Sequence, residues 1–347
     1  MLSKPSQAVY HAILCLAILL TAGCSTTALS PAPPTIEPAR PAASPPTSQL
    51  PAGVVQPLGG QPGAALFDAG THQLAVLCPG PDGNAPSTVA VLGAGAQAAR
   101  MIALPGAATA LTGDGHGVVQ LSTRGGYLDV DMSSGRVDRI AVADSENIDF
   151  TAIARRADGQ LVLGSADGAV YILADPRDGA APVSHRTKIF ARVDSIVVQG
   201  NTSVVLDRGQ TLVTSLAADG SAQQSLRAGE GTTTLFADPL KRVLAADTRG
   251  GQLLVYGVDP LILRQAYPVP QAPYGLAGSG GLTWVSQTAS NTVIGYDVST
   301  GIPVEKVRYP TVQQPNSLAF DQAADTLYVV SGSGAGVQVI EHAGSAR

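Results

Sequence analysis

Three arginines recur in a shared setting: Thr123-Arg-Gly-Gly126, Asp207-Arg-Gly-Gln210 and Thr248-Arg-Gly-Gly251. A guanidinium presents a planar fork of N–H donors that suits carboxylate or phosphate oxygens. A glycine beside it leaves main-chain N–H groups open to the same ligand. Arg124, Arg208 and Arg249 are therefore candidates for anion recognition, to be weighed against the plainer view that arginine followed by glycine makes a soluble turn. The other reactive residue types do not converge. His72, His116, His185 and His342 are widely separated and form no close-spaced ligand pair, so no metal site is expected. Asp144-Ser-Glu-Asn-Ile-Asp149 gathers three acids in one connection, which reads as a solvated loop that could help hold a cation. Gly93-Ala-Gly95 precedes no helical pattern and is a turn, not a phosphate cradle. Cys78 ends a strand-like run, Gln73-Leu-Ala-Val-Leu-Cys78, and is expected as a small buried apolar residue. No catalytic residue and no cofactor is expected.

These residues sit between short apolar runs. In Gln160–Ala174 two such runs flank Ala166-Asp-Gly168, and Asp-Gly supplies the positive φ that a tight hairpin needs. The same hairpin recurs along the chain. Leu66, Leu111, Ile153, Val197, Leu235, Leu276 and Leu318 open successive units, with spacings of 45, 42, 44, 38, 41 and 42 residues. Each is followed by a second strand, a Gly-containing turn, a third strand and a more polar fourth strand. Residues 272–313 show the set as Tyr274–Ala277, Leu282–Gln287, Thr292–Val298 and Pro303–Tyr309. No long helical periodicity appears. Seven four-stranded units of this length predict an all-β, seven-bladed propeller over residues 51–347. The seventh unit is one strand short, while Gly53–Leu58 lacks a hairpin partner. Pairing the two, with residues 51–59 as closing strand, would close the ring and remove two exposed sheet edges. The arginine-bearing turns join second to third strands, which places all three arginines on one rim.

Asp325–Glu341 (Asp-Thr-Leu-Tyr-Val-Val-Ser-Gly-Ser-Gly-Ala-Gly-Val-Gln-Val-Ile-Glu) resembles the repeat of YVTN-type propellers, relatives of the lactonase-like seven-bladed family. Gln314–Asp321 and Ala272–Ala277 resemble its Pro-led inner strand. Asp131-Met-Ser-Ser-Gly135 and Asp297-Val-Ser-Thr-Gly301 resemble its turn between third and fourth strands. The likeness is clear in the last two units and fades toward the first. Lactonase-type members use polar and charged groups at the channel mouth, and no matching set is found in this sequence. The single tryptophan, Trp284, and the absence of a Trp-Asp signature set other propeller families aside.

At the N-terminus Lys4 precedes an apolar run, Ala12–Leu20, too brief to span a bilayer as a mature helix. It leads into Leu20-Thr-Ala-Gly-Cys24, which resembles the lipobox of bacterial lipoproteins, with Thr21 where leucine is usual. The resemblance implies a signal peptide over 1–23 and a lipid on Cys24; the alternative is an ordinary secretory signal that leaves Cys24 as a free thiol. Ser30–Pro57 holds nine prolines and few large apolar residues. Residues 24–50 are therefore expected to form an extended spacer of about 80 Å that buries little.

The net charge of −5 argues against nucleic acid and against adhesion to anionic lipid. Together these observations predict a monomeric lipoprotein on the extracytoplasmic face of a cell membrane. Its propeller would act as a non-catalytic binding or scaffold module for an envelope protein or anionic ligand. The alternative is a lactonase-like hydrolase working at the channel mouth, by analogy of fold.

Overall fold

The structure is a computed structural model that describes residues 34–93 and 98–345. Cys24, the signal segment and Gly95 lie outside the described residues. The described chain is all-β, and its strands form seven sheets, antiparallel within each four-stranded blade, arranged as the blades of a propeller. The inner strands are Ala65–Asp68, Leu111–Gly113, Phe150–Arg155, Ser195–Gln199, Thr232–Asp238, Pro273–Gly278 and Pro315–Asp321. Each contains the leucine, isoleucine or valine expected to open its unit.

The sequence pattern has a packing cause. Each blade lies between two others, so its second and third strands are covered on both faces and read as continuous apolar runs. Leu161–Ser165 and Ala169–Leu173 of blade 3, joined by the Ala166–Gly168 turn, are buried throughout. The outermost strands, such as Ala222–Arg227 of blade 4, alternate half-buried with exposed residues because one face meets water. The apolar core is accordingly divided into seven clusters, one at each interface between neighbouring blades. Burying one large aliphatic side chain stabilises by roughly 1.5–3 kcal/mol, so each interface is a substantial core. Trp284, fully buried between blades 6 and 7, stacks on Phe320 at 6.0 Å and Tyr309 at 6.3 Å. Cys78 is buried between blades 7 and 1, and burial pushes its thiol pKa up.

Val54–Gln56 pairs antiparallel with the third strand of blade 7, with Val54 opposite Val339 and Gln56 opposite Val337. The first strand among the described residues thus completes the last blade. A second edge device has no counterpart in the repeat pattern. Within blade 3 the chain makes an excursion in which Ala180–Ala181 adds, in parallel, to the outer strand Val137–Val142 of blade 2. That sheet has five strands, and its edge is covered by its neighbour.

The expectation of an extended spacer through residue 50 is corrected for residues 34–50, although among them only Ala39 is buried. They belong to one compact unit with the propeller. Proline-rich sequence cannot build a core of its own, but it can lie on one that already exists.

Candidate functional site: the upper rim and the segment that crosses it

The rim is built from the bottom up by buried polar residues at the ends of second strands. In blade 5 the Asp247 carboxylate is fully buried and accepts three main-chain N–H groups, from Gly231 at 2.8 Å, Glu230 at 3.0 Å and Gly250 at 3.1 Å. Gly250 is required at this turn, since a Cβ there would stand 2.1 Å from the carboxylate. In blade 4 the buried Asp207 takes the N–H groups of Ala191 at 2.8 Å, Arg192 at 3.2 Å and Gln210 at 3.0 Å. Each aspartate ties its own turn to the connection arriving from the preceding blade. The turns that carry Arg208 and Arg249 are therefore rigid platforms.

All three candidate arginines occupy the turn between second and third strands, but they are not equivalent there. Thr123 pairs with Gly126, so Arg124 sits in a two-residue turn. Asp207 pairs with Leu212 and Asp247 with Gln252, which leaves four-residue turns. Arg208 is the first residue of its turn and Arg249 the second. The repeated Thr-Arg-Gly-Gly string is thus offset by one residue between blades 2 and 5, because Thr123 ends its strand and Thr248 lies beyond the end of its own.

Their partners differ as well. Arg124 is exposed and turns toward the acidic connection, with Nη1 donating to Asp149 Oδ1 at 3.2 Å and Nη2 to Asn147 Oδ1 at 3.4 Å. Asp149 is thereby paired with an arginine. Among the described residues no group of three or more His, Cys, Asp or Glu is placed to hold a metal ion. Arg249 Nη2 donates to the carbonyl of Glu37 at 2.7 Å, and Nη1 to that of Glu230 at 3.3 Å. Arg208 Nη2 donates to the carbonyl of Ala39, while its Nε is buried without a protein partner.

Glu37 and Ala39 belong to a strap, Thr35–Pro45, that follows the rim from blade 4 to blade 7. Ile36 N donates to Gly209 O at 2.7 Å. Ala39 is buried, close to Gly231, where a Cβ would stand 2.9 Å from its own. Farther along, Gln314 Nε2 donates to Ala42 O at 3.0 Å and Gln313 Nε2 to Ser44 O at 3.1 Å. Ser44 Oγ donates to Thr288 O at 2.5 Å, and Asn291 Nδ2 to Pro45 O at 2.8 Å. A cleft of about 390 Å³ remains between strap and rim, walled by Glu37, Arg40, Thr248, Arg249 and Ala272.

Near the Arg208 turn the Asp194 carboxyl is pushed up by burial, against the Arg208 main-chain N–H and the charges of Arg208 and Arg192. Tyr274, in the inner strand of blade 6, is raised by burial and drawn partly back by the positive charge of Arg208. His72, His116, His185 and His342 are exposed and fall in four different blades. Gln313, Gln314 and Asn291 were not singled out from sequence. They are ordinary turn residues whose role appears only when a chain passes over them.

Compared with known proteins, the chain matches no family model and no curated protein sequence. Its fold is similar to many solved structures. One is a chain of the mitotic checkpoint complex, at a TM-score of 0.70 and 11% identity, covering 88% of this chain and 99% of that one. A streptogramin B lyase matches at 0.65 and 9%, covering 84% and 96%. Virginiamycin B lyase from Staphylococcus aureus matches at 0.65 and 10%, covering 83% and 99%. At such identities the likeness establishes the seven-bladed fold and no activity.

Proposed function

We propose that the chain is a YVTN-type propeller lipoprotein, lipidated at Cys24 and held on the extracytoplasmic face of a cell membrane. It works as a monomeric, non-catalytic binding or scaffold module. Its partner is an envelope protein or a carboxylate-bearing ligand, met by the rim that carries Arg124, Arg208 and Arg249. It uses no cofactor and binds no nucleic acid.

The observation that carries this reading is the seated strap. Side chains from blades 4 to 7 hold a polypeptide main chain along the rim, so the face is equipped for binding by donors. Ten residue steps lead from Cys24 to Pro34. At the full extension of roughly 3.3–3.6 Å per residue they reach about 35 Å. A lipid on Cys24 would therefore keep the start of the strap within that distance of the bilayer, much nearer than a free spacer would. Arg124 is the rim arginine most easily exchanged to a new partner, because an exposed ion pair is worth at most about 1 kcal/mol.

Metabolic labelling with a clickable fatty acid tests the anchor: wild type is expected to be labelled and Cys24→Ala not. Equal labelling of both would end the lipoprotein reading. For the rim, envelope extract is passed over wild type and over Arg124→Ser at low and moderate salt. Loss of one same partner in the variant, and of that partner from wild type as salt rises, is the expected result.

A further inference from the structure

The strap shows how the rim binds. Five side chains donate to main-chain carbonyls of the strap: Arg249 to Glu37, Arg208 to Ala39, Gln314 to Ala42, Gln313 to Ser44 and Asn291 to Pro45. Within the segment, Pro38, Pro41 and Pro45 have no N–H to satisfy. Rim and strap are matched in kind, a row of side-chain donors facing main-chain carbonyls, with Ile36 N, Ser44 N and Ser44 Oγ donating back to Gly209, Gln314 and Thr288. An extended chain of eleven residues spans about 34 Å at the polyproline rise, which is why the donors come from several blades. Only Ala39 is buried, so the rim selects a small residue at that one point; elsewhere it meets the main chain and, at Ser44, a hydroxyl that donates to Thr288 O and accepts from Gln314 N.

We infer that the upper rim of blades 4 to 7 is a binding groove for an extended proline-rich polypeptide with a small residue at the Ala39 position. The strap occupies it in cis, and a proline-rich segment of an envelope partner takes the same donors when the strap leaves. This deepens the reading of the propeller as a binding module and rests on it. A tethered strap competes at an effective concentration on the order of millimolar. A free peptide is therefore held off until the strap is released, which makes the site conditional.

The test uses the full chain from residue 24 carrying Cys24→Ser, with and without Ala39→Glu. The substitution puts a large charged group where only a methyl fits and leaves all five donors in place. The probe is a fluorescein-labelled peptide with the sequence of residues 34–46, and binding is read by polarisation. Hydrogen exchange at the Ile36 amide reports strap release. Faster exchange in Ala39→Glu is expected, with the peptide binding at least ten-fold tighter than to wild type. Adding Arg208→Ser and Gln314→Ala to that chain is expected to abolish binding, as is placing glutamate at position 39 of the peptide. Equal affinity for both chains, or survival of binding without those donors, would overturn the groove. Unchanged Ile36 exchange would show that Ala39 does not seat the strap and would end the proposal too. A dimer formed by exchanged straps would assign the groove to a second copy and overturn the partner named here. Peptide and purified chain involve neither lipid nor extract, so failure here leaves the labelling and capture results standing on their own.

Discussion

Blade 2 and blade 5 carry the same four-residue string at the connection between second and third strands, yet the two arginines do different things. In blade 2 the strand ends in Thr123, whose hydroxyl makes one bond to Ala107 O at 2.7 Å, and Arg124 leans on the exposed Asp149. In blade 5 the strand ends in Asp247, which gathers three N–H groups, and Arg249 holds a chain that arrives from 212 residues away. The difference teaches that a rim residue acquires its role from what crosses it. Blades 4 to 7 lie under the strap, and blades 1 to 3 do not touch it through any hydrogen bond among the described residues.

The sharpest way to break this comparison is at the strand ends. Asp247→Ala would leave three inward-facing N–H groups without their acceptor, and a buried unsatisfied donor costs about 1–3 kcal/mol. An overall loss of roughly 2–4 kcal/mol is expected by denaturant titration. Thr123→Ala removes one bond and is expected to cost about 1 kcal/mol. Similar losses in the two variants would mean that blade 5 has no special platform.

A smaller effect separates the arginines themselves. Arg208→Ser is expected to destabilise by about 1 kcal/mol and to speed exchange at Ile36. Arg124→Ser should leave Ile36 unchanged and melt like wild type, because its ion pair is exposed. Equal exchange in both would remove Arg208 from the strap contact.

The lower turns provide the control, since no strap reaches them. Asp131 and Asp297 make the same turn in blades 2 and 6, each accepting the Oγ and N of the serine two residues on. The Ser133 hydroxyl, with the N–H groups of Ser134 and Ser133, holds Asp131 down to about 2, and the Ser299 hydroxyl and N–H lower Asp297 in the same way. The ionised form is favoured by folding, so the contribution is present above the ordinary value of 3.8 and fades as pH falls toward 2. Carboxyl NMR titration is expected to place both below 3.8, and Ser133→Ala should return Asp131 alone toward it. A shift at Asp297 as well would show that the two turns are coupled.

The repeat was legible because its cause is local. A strand sandwiched between two blades must be apolar on both faces, and a hairpin needs Gly, Asp or Asn at its bend. Leu66 through Leu318 therefore marked the inner strands, and the missing fourth strand after Glu341 pointed back to Val54. The turn that carries each arginine was legible for the same reason. Its register was not, because Thr123 and Thr248 look alike until strand pairing shows which residue is the last one bonded. The Ala180–Ala181 edge strand was hidden too, since two alanines in a loop carry no pattern of period two.

By itself, then, the sequence determined the all-β repeat, the number of blades and the rim on which Arg124, Arg208 and Arg249 stand, through alternation, turn chemistry and spacing. The tertiary structure alone decided that residues 34–50 lie on the propeller and that Arg208 and Arg249 are already engaged. The physical reason is the nature of the contact. Every residue has a carbonyl, so nothing in Ala39 or Ala42 announces that its oxygen will meet Arg208, 169 residues on, or Gln314, 272 residues on. Only closure of the ring brings four blades' donors into one line, and only then does a proline-rich chain have a place to lie.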